Sequence, residues 1–178
     1  ANKDKSGIDA FGQFTSASGF RPQPGVAGYF TAISNKQAIP GGSVNLGGLT
    51  FDTGGAIKVW TANDLTITAS AIPKGKSVVI LASGTVTIEG NITYTDDTLG
   101  QLKDIPQVVI IAQNINVRDN VSRVDAWLVA NGVINTCSNF SGSLTSNKCN
   151  TLLEVYGPVI TNRLLLNRTA GSDTGEDS

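Results

Sequence analysis

The sequence predicts an all-β chain, specifically a right-handed parallel β-solenoid with an N-terminal cap. Three observations predict it. A short strand pattern recurs along the chain, residues inside each recurrence alternate with period two, and the composition suits strands and tight turns. The pattern is clearest over 107–136, QVVIIAQNINVRDNVSRVDAWLVANGVINT, which contains it twice. Each copy is an apolar run, a break at a small or polar residue, an alternating second run, and in places a third.

Five segments align on that pattern: 57–72 (IKVWTANDLTITASAI), 78–94 (VVILASGTVTIEGNITY), 108–123 (VVIIAQNINVRDNVSR), 126–137 (AWLVANGVINTC) and 153–166 (LEVYGPVITNRLLL). Their hinges are Ala-Asn, Ser-Gly, Gln-Asn, Asn-Gly and Gly-Pro, dipeptides that interrupt strands by tolerating positive φ or by fixing φ. Starts at 57, 78, 108, 126 and 153 give steps of 21, 30, 18 and 27 residues, so two steps read as bare turns of the chain and two as turns with insertions. Such periodicity marks folds in which each unit buries its apolar face against its neighbours.

Within the second runs, Leu65 and Ile67, Val86 and Ile88, and Ile115 and Val117 alternate with Thr66, Thr87 and Asn116, which places the first set inside and the second outside. The first runs (VVIL, VVII, WLV) are apolar on both faces and need a cover on the outside, from another segment or a partner. An antiparallel β-sandwich is the alternative, because five hairpin-like segments could also pair antiparallel.

A chain of 178 residues fits one domain. At 40% hydrophobic it can bury a sizeable core, and 20 glycines with no Met or His favour strands and tight turns over helices. A net charge of −1 with scattered Lys and Arg leaves no electrostatic footprint for nucleic acid or an anionic membrane. No apolar run is long enough for a membrane span. The opening ANKDKSG is charged, so no signal-peptide core is read there, and the missing initiator Met points to a processed or excised chain.

Residues 1–42 differ in character, with Phe11, Phe14, Phe20, Tyr29 and Phe30 spaced among Gly, Ser and Thr. This segment reads as a cap laying its aromatics over the first turn, or as a strand donated to a neighbouring subunit. The solenoid is expected over 43–168, opening with the glycine-bracketed strand pair in 41–55. The polar, acidic 169–178 reads as a disordered tail.

Two insertions, 95–106 (TDDTLGQLKDIP) and 138–150, follow late strands of their segments and are expected to project from one edge, where repeat folds usually carry recognition. Asp96, Asp97, Asp104, Asn139 and Phe140 are the candidate binding residues there. Cys137 and Cys149 flank the second insertion and are read as a loop-closing disulfide. A metal or redox pair is disfavoured by the long spacing and the lack of further soft ligands. Trp60, Trp127 and Tyr156 lie in first runs, where burial or an interface outweighs a glycan platform.

Without His there is no Ser-His-Asp or Cys-His arrangement and no imidazole metal site. A two-carboxylate glycosidase mechanism is the chemistry left open, and parallel β-helix lyases and pectin hydrolases use acids on such a wall. Asp96, Asp97, Asp104, Asp119 and Asp125, however, stand beside Lys103, Arg118 and Arg123 and read as ordinary surface charge. No catalytic, cofactor or metal residue is therefore assigned. Four sequons begin at Asn91, Asn120, Asn139 and Asn167, and with 15 Asn in a Ser- and Thr-rich chain about three would arise by chance.

The run RVDAWLVANGVINTC, the Cys-bounded loop and LEVYGPVITNRLLLNRTAGSDTGE resemble surface proteins of candidate-phyla (Patescibacteria) bacteria, and FGQFTSASGF is similar to their start. The resemblance implies an extracellular or envelope-associated β-solenoid within a longer chain and carries over no catalytic residue. The repeat period is also similar to that of bactofilins, which polymerise through β-helix ends, although the cysteines and the capped start differ from a cytosolic filament. The expected function is a non-enzymatic structural or adhesive surface module. Alternatives are a subunit of a self-assembling extracellular filament and a glycan-binding or carbohydrate-active β-helix. The expected partners are other surface proteins, glycans or copies of itself.

Overall fold

The computed structural model describes residues 36–49, 58–95, 100–139 and 149–168, the Lys103 side chain excepted. Strands and two short 3₁₀ turns make up the regular structure, with no α-helix among the described residues. The strands fall into tiers. The first tier holds β1 (Lys36–Ala38), β2 (Ser43–Val44) and the 3₁₀ turn Leu46–Gly48. The second holds β3 (Lys58–Ala62), β4 (Leu65–Ile67) and β5 (Ser70–Ile72), and the third β6 (Ser77–Ala82), β7 (Thr85–Ile88) and β8 (Ile92–Tyr94). After the 3₁₀ turn Leu102–Asp104 come β9 (Gln107–Ala112), β10 (Asn114–Val117) and β11 (Arg123–Val124). The fifth tier is β12 (Trp127–Asn135), which runs through the first and second positions, and β13 (Glu154–Val155); β14 (Val159–Leu165) ends the stack.

Every described ladder is parallel. First-position strands stack as β1-β3-β6-β9-β12, second-position strands as β2-β4-β7-β10-β12, and third-position strands as β5-β8-β11-β13. Because β12 belongs to two stacks, the first two form one curled ten-stranded sheet. The antiparallel sandwich does not occur among the described residues. Strands that pair are separated in sequence by one or two other strands, and that length of chain is what a parallel pairing needs.

Register explains the repeat. Trp60 pairs with Ile80, Ile80 with Ile110 and Ile110 with Leu128, one inward column of large apolar side chains. Leu65, Val86, Ile115 and Ile134 form the corresponding column of the second stack. These residues are at most 3% exposed and belong to one core cluster. Each contributes about 2 kcal/mol through burial of apolar surface. The outward residues of the first runs, Val59, Val79, Val109, Ile111 and Val129, are buried too and form a second cluster with Leu81 and Ile160 packed against it. Runs apolar on both faces thus have both faces removed from water.

Two details differ from the sequence reading. The parallel stack already includes Lys36–Ala38, paired with Val59–Thr61, inside the segment assigned to the cap. Residues 1–35 of that segment and the tail 169–178 lie outside the described residues. The segment 153–166 is also out of phase. Leu128 pairs with Val159, so Val159–Thr161 takes the first position, while Glu154–Val155 is the third strand of the tier before. Gly157-Pro158 therefore joins two tiers and is not a hinge within one. The apolar LEV resembles a first run, and only its pairing with Arg123–Val124 distinguishes it.

Candidate functional site

The corners between strands carry most of the polar side chains. At the corner from first to second position, the Asp64 carboxylate accepts from the Thr85 N–H at 2.7 Å, and the Asn114 carbonyl oxygen accepts from Val133 N–H at 3.0 Å. Each reach crosses a glycine of the next tier. A Cβ on Gly84 would stand 2.2 Å from Asp64 Oδ1, and one on Gly132 would stand 2.5 Å from Asn114 Oδ1. The Ser-Gly and Asn-Gly hinges are needed for this close approach of neighbouring tiers.

The corner from second to third position is an asparagine ladder. Asn45 Nδ2 donates to Ala69 O, Asn120 Nδ2 to Glu89 O and Asn167 Nδ2 to Asn135 Oδ1. Asn91 Oδ1 accepts from the N–H groups of Ser122 and Arg123, and its Nδ2 donates to Ser122 Oγ. Asn139 donates to Asp119 Oδ1 at 2.7 Å and accepts from Asp119 N–H at 3.0 Å. All four sequon asparagines stand at this corner, in successive tiers, with their amide nitrogens engaged.

Arg168 closes the same corner. Its Nε donates to Thr136 O, one Nη to the carbonyls of Asp119 and Thr151, and the other to those of Arg118 and Val121, at 2.6–3.0 Å. Five donors meet five backbone carbonyls in a fork that only guanidinium offers. Burial pushes the Arg168 pKa down and the Asp119 charge opposes that. Cys137 and Cys149 are bonded, with their Cα atoms 6.0 Å apart.

The predicted loop residues fare unequally. Asp96, Asp97 and Phe140 lie outside the described residues. Asp104 accepts from the N–H groups of Gly100 and Gln101 at 3.1 Å, closing its own 3₁₀ turn. The two insertions do not share an edge. The first joins β8 to β9, a passage from third to first position, whereas the second joins β12 to β13, from second to third. Both follow late strands, but β12 fills two positions at once, a difference invisible in spacing.

Asp125 corrects the surface-charge reading. It is 1% exposed, accepts from the Tyr94 N–H at 3.0 Å, and is held by both Arg123 Nε and Nη2 at 2.8 and 3.0 Å. The Arg123 guanidinium lies 4.7 Å from the Tyr156 ring centroid. Tyr94 Oη accepts from Val108 N–H, and burial pushes its phenol above the ordinary value; that hydrogen bond lowers it and the Asp125 charge adds to the rise. Arg118 pairs with Glu89 at 2.7 Å on the surface. Trp60 is buried as expected, Trp127 is 36% exposed at the outer rim, and Tyr156 is exposed just after the third-position strand.

A concavity lies among the described residues at the β14 end of the stack. It holds about 590 Å³ and is lined by Val117, Leu128, Ile134, Val155 and Leu164, with Thr136, Asn150 and Arg168 as polar members. Leu152, Val159, Leu164 and Leu166 are 40–74% exposed around it. Among the described strands, β14 pairs only with β12.

Comparison with protein-family models, curated proteins and solved structures finds no match.

What the arrangement can do follows from its chemistry. Among the described residues no group of His, Cys, Asp or Glu is placed to hold a metal, and no helix is long and apolar enough to cross a membrane. The polar side chains of the corners hold tier to tier. Among the described residues, the β14 end offers a strand edge and an apolar hollow. Arg168, Asp125 and the asparagine ladder were missed in the sequence, although the recurrence of Asn after most of the second runs was a readable signal.

Proposed function

We propose that the chain is a β-solenoid serving as a non-enzymatic structural or adhesive module at an extracellular surface. The observation that carries this reading is the commitment of polar groups: Arg168 binds five carbonyls, and Asn91, Asn139 and Asp104 bind neighbouring backbone or side chains. Arg168, Asn91 and Asn139 hold neighbouring tiers together and Asp104 holds its own turn, as a rigid spacer requires. Three stacks of parallel strands drawn from consecutive tiers are what a solenoid produces, right-handed by the general rule for parallel crossovers. The disulfide supports an oxidising compartment, and the resemblance to envelope proteins agrees with it. Fractionation of producing cells, with thiol trapping, tests the proposal. An oxidised pool exposed at the envelope is expected; a reduced cytoplasmic pool, or glycan cleavage lost in Asp104→Asn, overturns it.

A second reading, the filament subunit, draws on the exposed apolar end beyond β14. Negative-stain microscopy distinguishes it, because regular fibres form only if that end binds the opposite end of another copy.

A further inference from the structure

We propose that the dipeptide Asn131-Gly132, in the middle of β12, is a site of spontaneous backbone modification that the corner between the first and second positions holds shut. It is the one Asn-Gly pair in the sequence. In such a pair the main-chain nitrogen of glycine, with no side chain to hinder it, can attack the asparagine amide. A bond forms between that nitrogen and Cγ, the Cγ–Nδ2 bond breaks, and ammonia leaves with the proton of the glycine nitrogen, which closes a five-membered imide. Water then opens the imide at either carbonyl and leaves an aspartate linked through its α- or its β-carboxyl.

The pair sits at a break in both ladders of β12. Ala130 pairs with Thr161 and Val133 with Arg163, so Asn131 and Gly132 stand opposite Asn162 alone. On the other side Ala130 pairs with Ala112 and Ile134 with Ile115, so residues 131–133 face only Gln113 and Asn114. The hinge is thus a bulge of one extra residue against both neighbours. Asn131 is exposed, and its Nδ2 donates to Gln113 Oε1 at 3.3 Å, a long bond. Packing keeps glycine next to it, because a Cβ on Gly132 would stand 2.5 Å from Asn114 Oδ1. What restrains the reaction is the hold on the attacking atom. Gly132 N–H donates to Gln113 O at 2.7 Å, beside the bond from Val133 N–H to Asn114 Oδ1 at 3.0 Å. The carbonyls of Asn131 and Gly132 accept from Asn162 Nδ2 and Thr161 Oγ1. While these bonds stand, the nitrogen is kept from Cγ. Opening of this corner alone releases it, without unfolding of the tiers on either side. The β-linked product adds a carbon to the main chain between the two halves of β12, the strand that joins the first and second stacks. The inference goes beyond the proposed function, since it requires neither an extracellular location nor the absence of an activity.

Incubation of the oxidised full chain in mildly alkaline buffer tests it, with isoaspartate counted by enzymatic methylation from a labelled methyl donor and located by peptide mass mapping. The native protein is expected to acquire isoaspartate slowly, and the urea-unfolded chain about tenfold faster or more. Asn114→Ala, which removes the acceptor of Val133 N–H at the hinge, should raise the native rate about threefold or more, whereas Asn91→Ala, which loosens another corner, should leave it unchanged. Asn131→Gln should remove the signal in both states. Equal rates in the native and unfolded chains, an Asn114→Ala rate no different from that of Asn91→Ala, or native isoaspartate mapped to another asparagine would each overturn the proposal. The second of these would mean that this hinge is not what shuts the site.

Discussion

Arg168 donates from Nη2 to the carbonyl oxygen of Arg118 at 2.6 Å, across 50 residues of sequence. The contact ties the last described residue to a corner two tiers earlier. Arg168→Met should cost about 3 kcal/mol, because it removes charge-assisted hydrogen bonds and leaves half-buried carbonyls unpaired. Arg168→Lys should recover less than half of that, since an ammonium cannot reach five carbonyls in a plane. Urea denaturation of the three proteins, compared at constant slope, checks both figures.

Asn91 holds two N–H groups of the next tier through a single oxygen, those of Ser122 and Arg123. Asn91→Ala should lose about 2 kcal/mol by leaving both donors without that acceptor. Asn91→Asp keeps the acceptor and should lose less. Thermal melts rank the two variants, and equal losses would mean that the acceptor is not what matters.

The four sequons were visible from the start, but their meaning was not. Asn tolerates a sharp corner and bonds to neighbouring backbone, so a stack with one such corner per tier accumulates Asn at a regular place. The Ser or Thr two positions on is common in strands of this composition. The sequence showed the residues, and the common corner appeared only when the tiers were laid in register.

Gly132→Ala should destabilise by about 1–3 kcal/mol, because the new methyl carbon meets Asn114 Oδ1 at 2.5 Å and Gln113 O at 2.9 Å. Asn114→Ala removes the side chain that crowds it, along with the bond to Val133 N–H. The double variant should therefore lose less than the sum of the two single ones. A double-mutant cycle in guanidinium measures that coupling, and strict additivity would rule out the proposed contact.

Reduction of Cys137–Cys149 should lower stability by about 3 kcal/mol on the chain-entropy account for a loop of this length. Cys137→Ala with Cys149→Ala should match the reduced wild type. Denaturation midpoints with and without reductant provide the comparison, and an unchanged midpoint would mean that the bond adds nothing to the fold.

The raised pKa of Tyr94 has a defined sign. A phenol whose pKa is higher folded than unfolded contributes stability that is complete below the unfolded value, near 10, and is lost as pH rises through the folded value. Stability should therefore fall in alkali from about pH 10 upward, in step with the appearance of phenolate absorbance, and Tyr94→Phe should flatten part of that fall. The same variant removes the acceptor for Val108 N–H and should cost about 1 kcal/mol at neutral pH.

The sequence by itself determined that the chain is all-β, and it left parallel and antiparallel pairing of the strands both open. Period-two alternation in Leu65-Thr66-Ile67 or Val86-Thr87-Ile88, and runs apolar on both faces such as VVII, are local properties and survive without knowledge of the partner. It also placed the corner glycines and the cysteine pair. Only the tertiary structure decided the phase of 153–166, the separate corners of the two insertions, the burial of Asp125 and the role of Arg168. Each depends on which residues, 18 to 50 positions apart, come into register, as when Trp127 pairs with Val109 or Arg168 reaches Arg118. A local pattern is the same in either phase, and the free energy that distinguishes the phases comes from side chains packing and bonding between tiers.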